Sequence, residues 1–188
     1  MHLGFTVICP CMSYLSMPRQ VRSRAKARLK IIKTANKLDN RQRQELSRLL
    51  VKLATSIRGT AKKIYRVKIG DKQFRVVVYR RAELRGDLLR VTLDVDIYDV
   101  ELQEREYREY MQWFRQKQHE LSARARELIL RLISRISGQV AGIYYTAELE
   151  KQRRKLVPIS RRYGLTLYRK SVSADLVIRI LSAIAKVV

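Results

Sequence analysis

Near residue 60 the spacing of apolar residues changes from three and four to two, and this change commits the chain to a mixed architecture. Before it, Leu46, Leu49, Leu50, Leu53 and Ile57 recur at helical spacing, which places all five on one side of a helix. After it, Tyr65, Val67 and Ile69 alternate with Arg66 and Lys68. Phe74, Val76 and Val78 then flank Arg75 and Val77, and Val91, Leu93, Val95 and Ile97 alternate with polar residues. Period-two alternation puts the apolar side chains on one face of a strand. Gly70-Asp71 and Arg85-Gly86-Asp87 mark the two turns, so residues 63–98 are expected to form a three-stranded antiparallel meander. Its single apolar face requires a helical cover.

Helical spacing dominates elsewhere, and the expected class is α+β, mostly helical. A first helix is predicted from Pro18 to Lys37, with proline in its first turn. Asp39 opens a second, and Gln42 three residues on completes a capping box, with Gly59 as the stop. The two read as a helical hairpin over 18–62. From Asp99, a fair N-cap, to Ile136 there is neither proline nor glycine, and one long helix of about 50–55 Å is expected at 1.5 Å per residue. That exceeds what a small meander can cover, so part of it should pack on the first hairpin or on another copy of the chain. A further helix is expected around Ala141 to Leu156, a short strand at Tyr163 to Tyr168, and a last helix capped by Ser173 and carrying Leu176, Val177, Ile180, Leu181 and Ile184. The predicted organisation is therefore an apolar arm at 1–17, the hairpin at 18–62, the sheet at 63–98 and the C-terminal helices at 99–188, the last three sharing one core. The uncharged stretch before Met17 has two readings, an arm or an upstream segment ahead of a true start at Met17, and the second is preferred.

Charge points to the ligand class. The 188 residues carry 41 Lys+Arg against 17 Asp+Glu, a formal +24 with pI near 10.7. Residues 18–81 hold 21 of the cations and only 3 of the acids. Arg19, Arg22, Lys26, Lys30, Lys33 and Lys37 follow one another at steps of three or four, which confines them to about 80° of a helix surface. Val21, Ala25, Leu29, Ile32 and Ala35 occupy the other side. Arg41, Arg48 and Lys52 on the second helix, with Arg66, Lys68 and Arg75 on the sheet, complete the candidate nucleic-acid contacts. A polyanion is the expected partner, double-stranded DNA first and RNA second, with self-association through the long helix. Base-edge readers are scarce, since the first helix offers only Gln20 and Asn36, so phosphate contact without sequence readout is expected.

Other chemistries lack their parts. Cys9 and Cys11 sit in one Cys-Pro-Cys triplet without a second ligand pair, and no metal or other cofactor is expected. Asp94 and Asp96 share a strand face, but Arg75 on the next strand offers them a pairing partner, so a magnesium nuclease is disfavoured. His2 and His119 are the only histidines, too few for a recombinase set. Tyr107 and Tyr110 are read as core or interface. Arg24 and Arg28 interrupt the apolar side of the first helix, against a membrane-surface role, and neither a transmembrane segment nor a secretory signal is recognisable. Arginine-rich, glycine- and cysteine-poor composition suits a protein that works hot. The expectation is a non-enzymatic structural protein that coats or compacts nucleic acid, such as a virion nucleocapsid or coat protein or a chromatin protein of a hyperthermophile, inside a virion or a cytoplasmic nucleoid. A ribosomal or other ribonucleoprotein component is the alternative.

Overall fold

A computed structural model describes residues 38–152 and 155–188. The predicted helix from Pro18 to Lys37, with its six-residue basic stripe, and the arm before it lie outside the described residues. Helix α1 spans Asn40–Ser56, followed by strands β1 (Ala61–Ile69), β2 (Lys72–Arg85) and β3 (Leu88–Asp99). Helix α2 (Val100–Lys117), a single 3-10 turn (Gln118–Glu120) and helix α3 (Ala123–Ile136) come next, then β4 (Gln139–Gln152), β5 (Lys155–Leu167) and helix α4 (Ala174–Val187). All five strands form one antiparallel sheet in sequence order.

Strand content is 41%, in five strands, so neither the three-stranded meander nor the mostly helical class stands. The helix expected around Ala141 to Leu156 is β4, in which Ala141, Ile143, Tyr145, Ala147 and Leu149 are buried in strict alternation. The Ala-Glu-Leu-Glu-Lys run at 147–151 favours a helix locally, but pairing with β3 along eleven positions overrides that weak preference. The short strand expected at Tyr163 to Tyr168 extends back to Lys155, and Pro158 is tolerated because β5 is an edge strand and the proline sits at a bulge opposite Leu149.

The long helix from Asp99 to Ile136 is two helices folded back on each other. Asp99 caps α2 as expected, accepting a hydrogen bond from the Leu102 amide. The break comes where Ser122 takes an extended conformation and its hydroxyl accepts from the Ala125 amide, starting α3 afresh. Tyr110 and Phe114 of α2 meet Ile129 and Ile133 of α3 in a small cluster of their own, flanked by Trp113. This hairpin does not roof the meander.

The cover is α1 and α4. The main core gathers Leu46, Leu50 and Leu53 of α1 with Val177, Ile180, Leu181 and Ile184 of α4 against the inward residues of all five strands. Each fully buried leucine or isoleucine contributes about 1.5–3 kcal/mol. The capping box at Asp39 and Gln42 forms, as do both turns and the Ser173 cap of α4. One buried position on the inward face of the sheet is charged. Arg80 on β2 is 3% exposed, yet its Nε donates to the Ala54 carbonyl at 2.9 Å and its Nη1 donates to the Gly59 carbonyl. It thereby satisfies carbonyl oxygens at the end of α1 that have no partner within the helix. Burial draws the guanidinium below its ordinary pKa.

Candidate nucleic-acid interface

With α1 and α4 on one side, alternation sends every second residue of the sheet to the other side, which α3 of the α2–α3 hairpin approaches at Ser134 and Arg135. Register fixes what lies beside what. Lys62, Tyr79, Asp94, Tyr144 and Gly164 form one row straight across the five strands. The next row is Ile64, Val77, Asp96, Gly142 and Thr166, and beyond it Arg66, Arg75, Tyr98 and Gln139. On the other flank lie Arg81, Thr92, Thr146 and Arg162. An open cavity of about 790 Å³ occupies this face, and α3 brings Ser134 and Arg135 to its rim.

Tyrosine and arginine dominate the lining. The Arg75 guanidinium lies over the Tyr98 ring at 4.5 Å from its centroid, and that of Arg81 over Tyr79 at 5.0 Å, both within cation–π range. Tyr144 is 50% exposed, and its hydroxyl accepts from the Thr146 hydroxyl at 2.7 Å. The two strand glycines serve these rings differently. A Cβ on Gly142 would fall 2.9 Å from the Tyr168 hydroxyl, so the Tyr168 ring lies across that gap. Among the described residues nothing comes within 4 Å of the corresponding point at Gly164, which leaves the place beside Tyr144 open.

The carboxylates of this face are separated by their surroundings. Asp96 accepts from the Gln139 amide at 2.6 Å. Asp94, between Tyr79 and Tyr144, makes no hydrogen bond or ion pair among the described residues. Arg75, expected to pair with these aspartates, stacks on Tyr98 instead. No group of three or more His, Cys, Asp or Glu gathers in a metal-holding arrangement among the described residues.

The predicted contacts divide between two opposite surfaces. Arg19, Arg22, Lys26, Lys30, Lys33 and Lys37 lie outside the described residues. Arg41, Arg48 and Lys52 are exposed along one stripe of α1, turned away from the sheet and interrupted by Glu45. Arg66, Lys68 and Arg75 are on the open sheet face, with Lys68 at its end. The two sets are thus not continuous. None of Arg41, Arg48, Lys52, Arg66 or Lys68 forms an ion pair or side-chain hydrogen bond among the described residues. Of the tyrosines read as core or interface, Tyr110 is buried and Tyr107 is 44% exposed.

Sequence reading missed Tyr79, Tyr98, Tyr144 and Tyr168 as neighbours. The available signal was the alternation from Ala141 to Leu149, which as a strand puts Gly142 and Tyr144 outward. Among the described residues no helix is long and apolar enough to cross a membrane. No family model matches the chain, and neither a curated protein nor a solved structure shows significant similarity to it.

Proposed function

We propose that this chain is a non-enzymatic structural protein that coats or compacts nucleic acid, double-stranded DNA first, through phosphate contacts that do not depend on sequence. The observation that carries the reading is the two separate sets of exposed cations on α1 and on β1, which have no carboxylate partner among the described residues, within a chain of formal charge +24. Lys and Arg fixed on a rigid scaffold release counterions from a duplex that bears one charge per about 1.7 Å, and this supplies sequence-independent affinity. Opposed basic surfaces also allow one molecule to touch two segments at once, which compaction needs. A virion nucleocapsid or coat protein, or a chromatin protein, of a hyperthermophile is the role that fits, in a virion or nucleoid. A ribonucleoprotein component is the second reading, favoured by the tyrosines of the open sheet face.

Fluorescence anisotropy with several unrelated duplexes across a salt series tests the proposal. Affinities should agree within a few fold, and log K should fall against log salt with a slope of about −5 if six phosphates are touched. A thousandfold preference for one duplex would replace this reading with a sequence-specific regulator.

A further inference from the structure

Resting on the nucleic-acid reading, the geometry points to a second mode of contact, in which the open face of the sheet takes a single-stranded segment and stacks its bases on tyrosine. Tyr79 and Tyr144 stand in one cross-strand row with a single strand between them, a separation of about 10 Å at 4.8 Å per strand. Tyr144 is half exposed, and its neighbour in the row is Gly164, over which there is open space. That leaves a ring with an empty slot of side-chain size beside it. Any other residue at 164 would project a side chain into the slot.

The chemistry around the slot suits a nucleotide chain better than an apolar partner. Lys62, Arg75, Arg81 and Arg135 line the cavity against Asp94 and Asp96, so the wall is net cationic and complements a phosphate backbone. The bases have π-faces for Tyr144 and for the planar guanidinium of Arg81, which already lies on Tyr79. A duplex hides its base faces in the stack and offers none of them to a ring on a sheet. The face therefore selects single strands, RNA or DNA, while the α1 stripe contacts phosphates of either form.

The test is anisotropy of the full chain with labelled dT and rU 20-mers and with a duplex of equal length, comparing wild type, Tyr144→Ala and Gly164→Val. The two variants act oppositely, one removing the ring and the other filling the slot. The Cβ of Gly164→Val meets no described atom within 4 Å, and a β-branched residue suits a strand, so the fold should be retained. Each should lower single-strand affinity roughly tenfold, the scale of one lost base stack, with duplex affinity unchanged. Comparing dT with rU states which sugar the face accepts. Single-strand affinity that survives both substitutions would overturn the site while leaving the phosphate reading intact. Equal losses for duplex and single strand would likewise overturn it, by making the face a general phosphate surface. Wild type that binds neither form would refute the nucleic-acid reading itself.

Discussion

Replacing Glu106 with alanine should detach the α2–α3 hairpin from the sheet. Glu106 is 1% exposed, and its Oε2 accepts at 2.8 Å from the Gly138 amide and at 2.8 Å from Arg169 Nη2. The first bond ties α2 to the start of β4 and the second ties it to the segment after β5. Close packing at the same point is obligatory, because Gly138 has φ +67 and a Cβ there would lie 2.4 Å from the Gln103 Cα. Hydrogen bonds to a charged group contribute about 1.5–3 kcal/mol each, and breaking a buried pair from one side costs about 3–5 kcal/mol. Arg169 retains 18% side-chain exposure and can recover some hydration, so the lower end, about 3 kcal/mol, is expected for Glu106→Ala. Glu106→Gln keeps an acceptor and should cost about half as much. Trp113, the single tryptophan, flanks the hairpin cluster, so its fluorescence reports the hairpin while far-UV circular dichroism reports the whole fold. In urea the Trp113 transition of Glu106→Ala should move to lower concentration than the dichroism transition. A stability loss under about 1 kcal/mol, with both probes still coincident, would refute the clasp.

Arg80→Met keeps apolar volume but removes both donors to the Ala54 and Gly59 carbonyls; a loss of about 2–3 kcal/mol is expected in urea unfolding, and a neutral result would mean those carbonyls find other partners. Tyr145 is fully buried and its hydroxyl has no hydrogen-bond partner among the described residues, so Tyr145→Phe should leave stability unchanged or raise it by up to about 1 kcal/mol. Burial lifts the Tyr145 pKa, with the charge of Arg161 opposing it. The folded tyrosine keeps its proton where the unfolded one, near pKa 10, releases it, so this contribution is complete below about pH 10 and is lost as pH rises further; the Phe variant should lack that part of the alkaline decline in thermal melts. Asp94→Asn removes an unpartnered carboxylate and should change stability by less than about 0.5 kcal/mol while tightening nucleic-acid binding, whereas Asp96→Asn disturbs the bond from Gln139 and should cost about 1 kcal/mol. Magnesium-dependent cleavage of labelled DNA that disappears in either variant would make these carboxylates catalytic after all.

Local signals were legible where one face of an element meets the core. The capping box at Asp39, the turns at Gly70 and Gly86, the Asp99 and Ser173 caps and the inward phase of β1 to β3 all follow from residue type and spacing. The reading failed where secondary structure depends on a partner distant in sequence. β4 starts after a helical excursion of more than thirty residues, and its Glu and Lys positions are compatible with a helix until β3 is placed beside them. A missing proline or glycine between Asp99 and Ile136 argued for one continuous helix, but a polar 3-10 turn ending in a capping serine ends a helix as well as either residue does. Which element covers the sheet was hidden for the same reason. α4 is apolar around much of its circumference, which says that it is buried, not against what.

The candidate interface was half legible, and the reason lies in what each half depends on. Net charge is additive over residues, so the excess of cations could be counted before any fold was known. Whether those cations act together is a question of geometry, and the helical layer divides them, with Arg41, Arg48 and Lys52 on one side of the molecule and Arg66, Lys68 and Arg75 on the other. A duplex lying along α1 therefore cannot also lie along the open sheet face of the same molecule. On the proposed nucleic-acid role, either two segments are held by one chain, or the two faces receive different forms of nucleic acid. The tyrosine row and the empty place over Gly164 favour the second arrangement, because a phosphate can use only the hydroxyl of a tyrosine, whereas the open ring face beside Gly164 is of use where a base face is exposed.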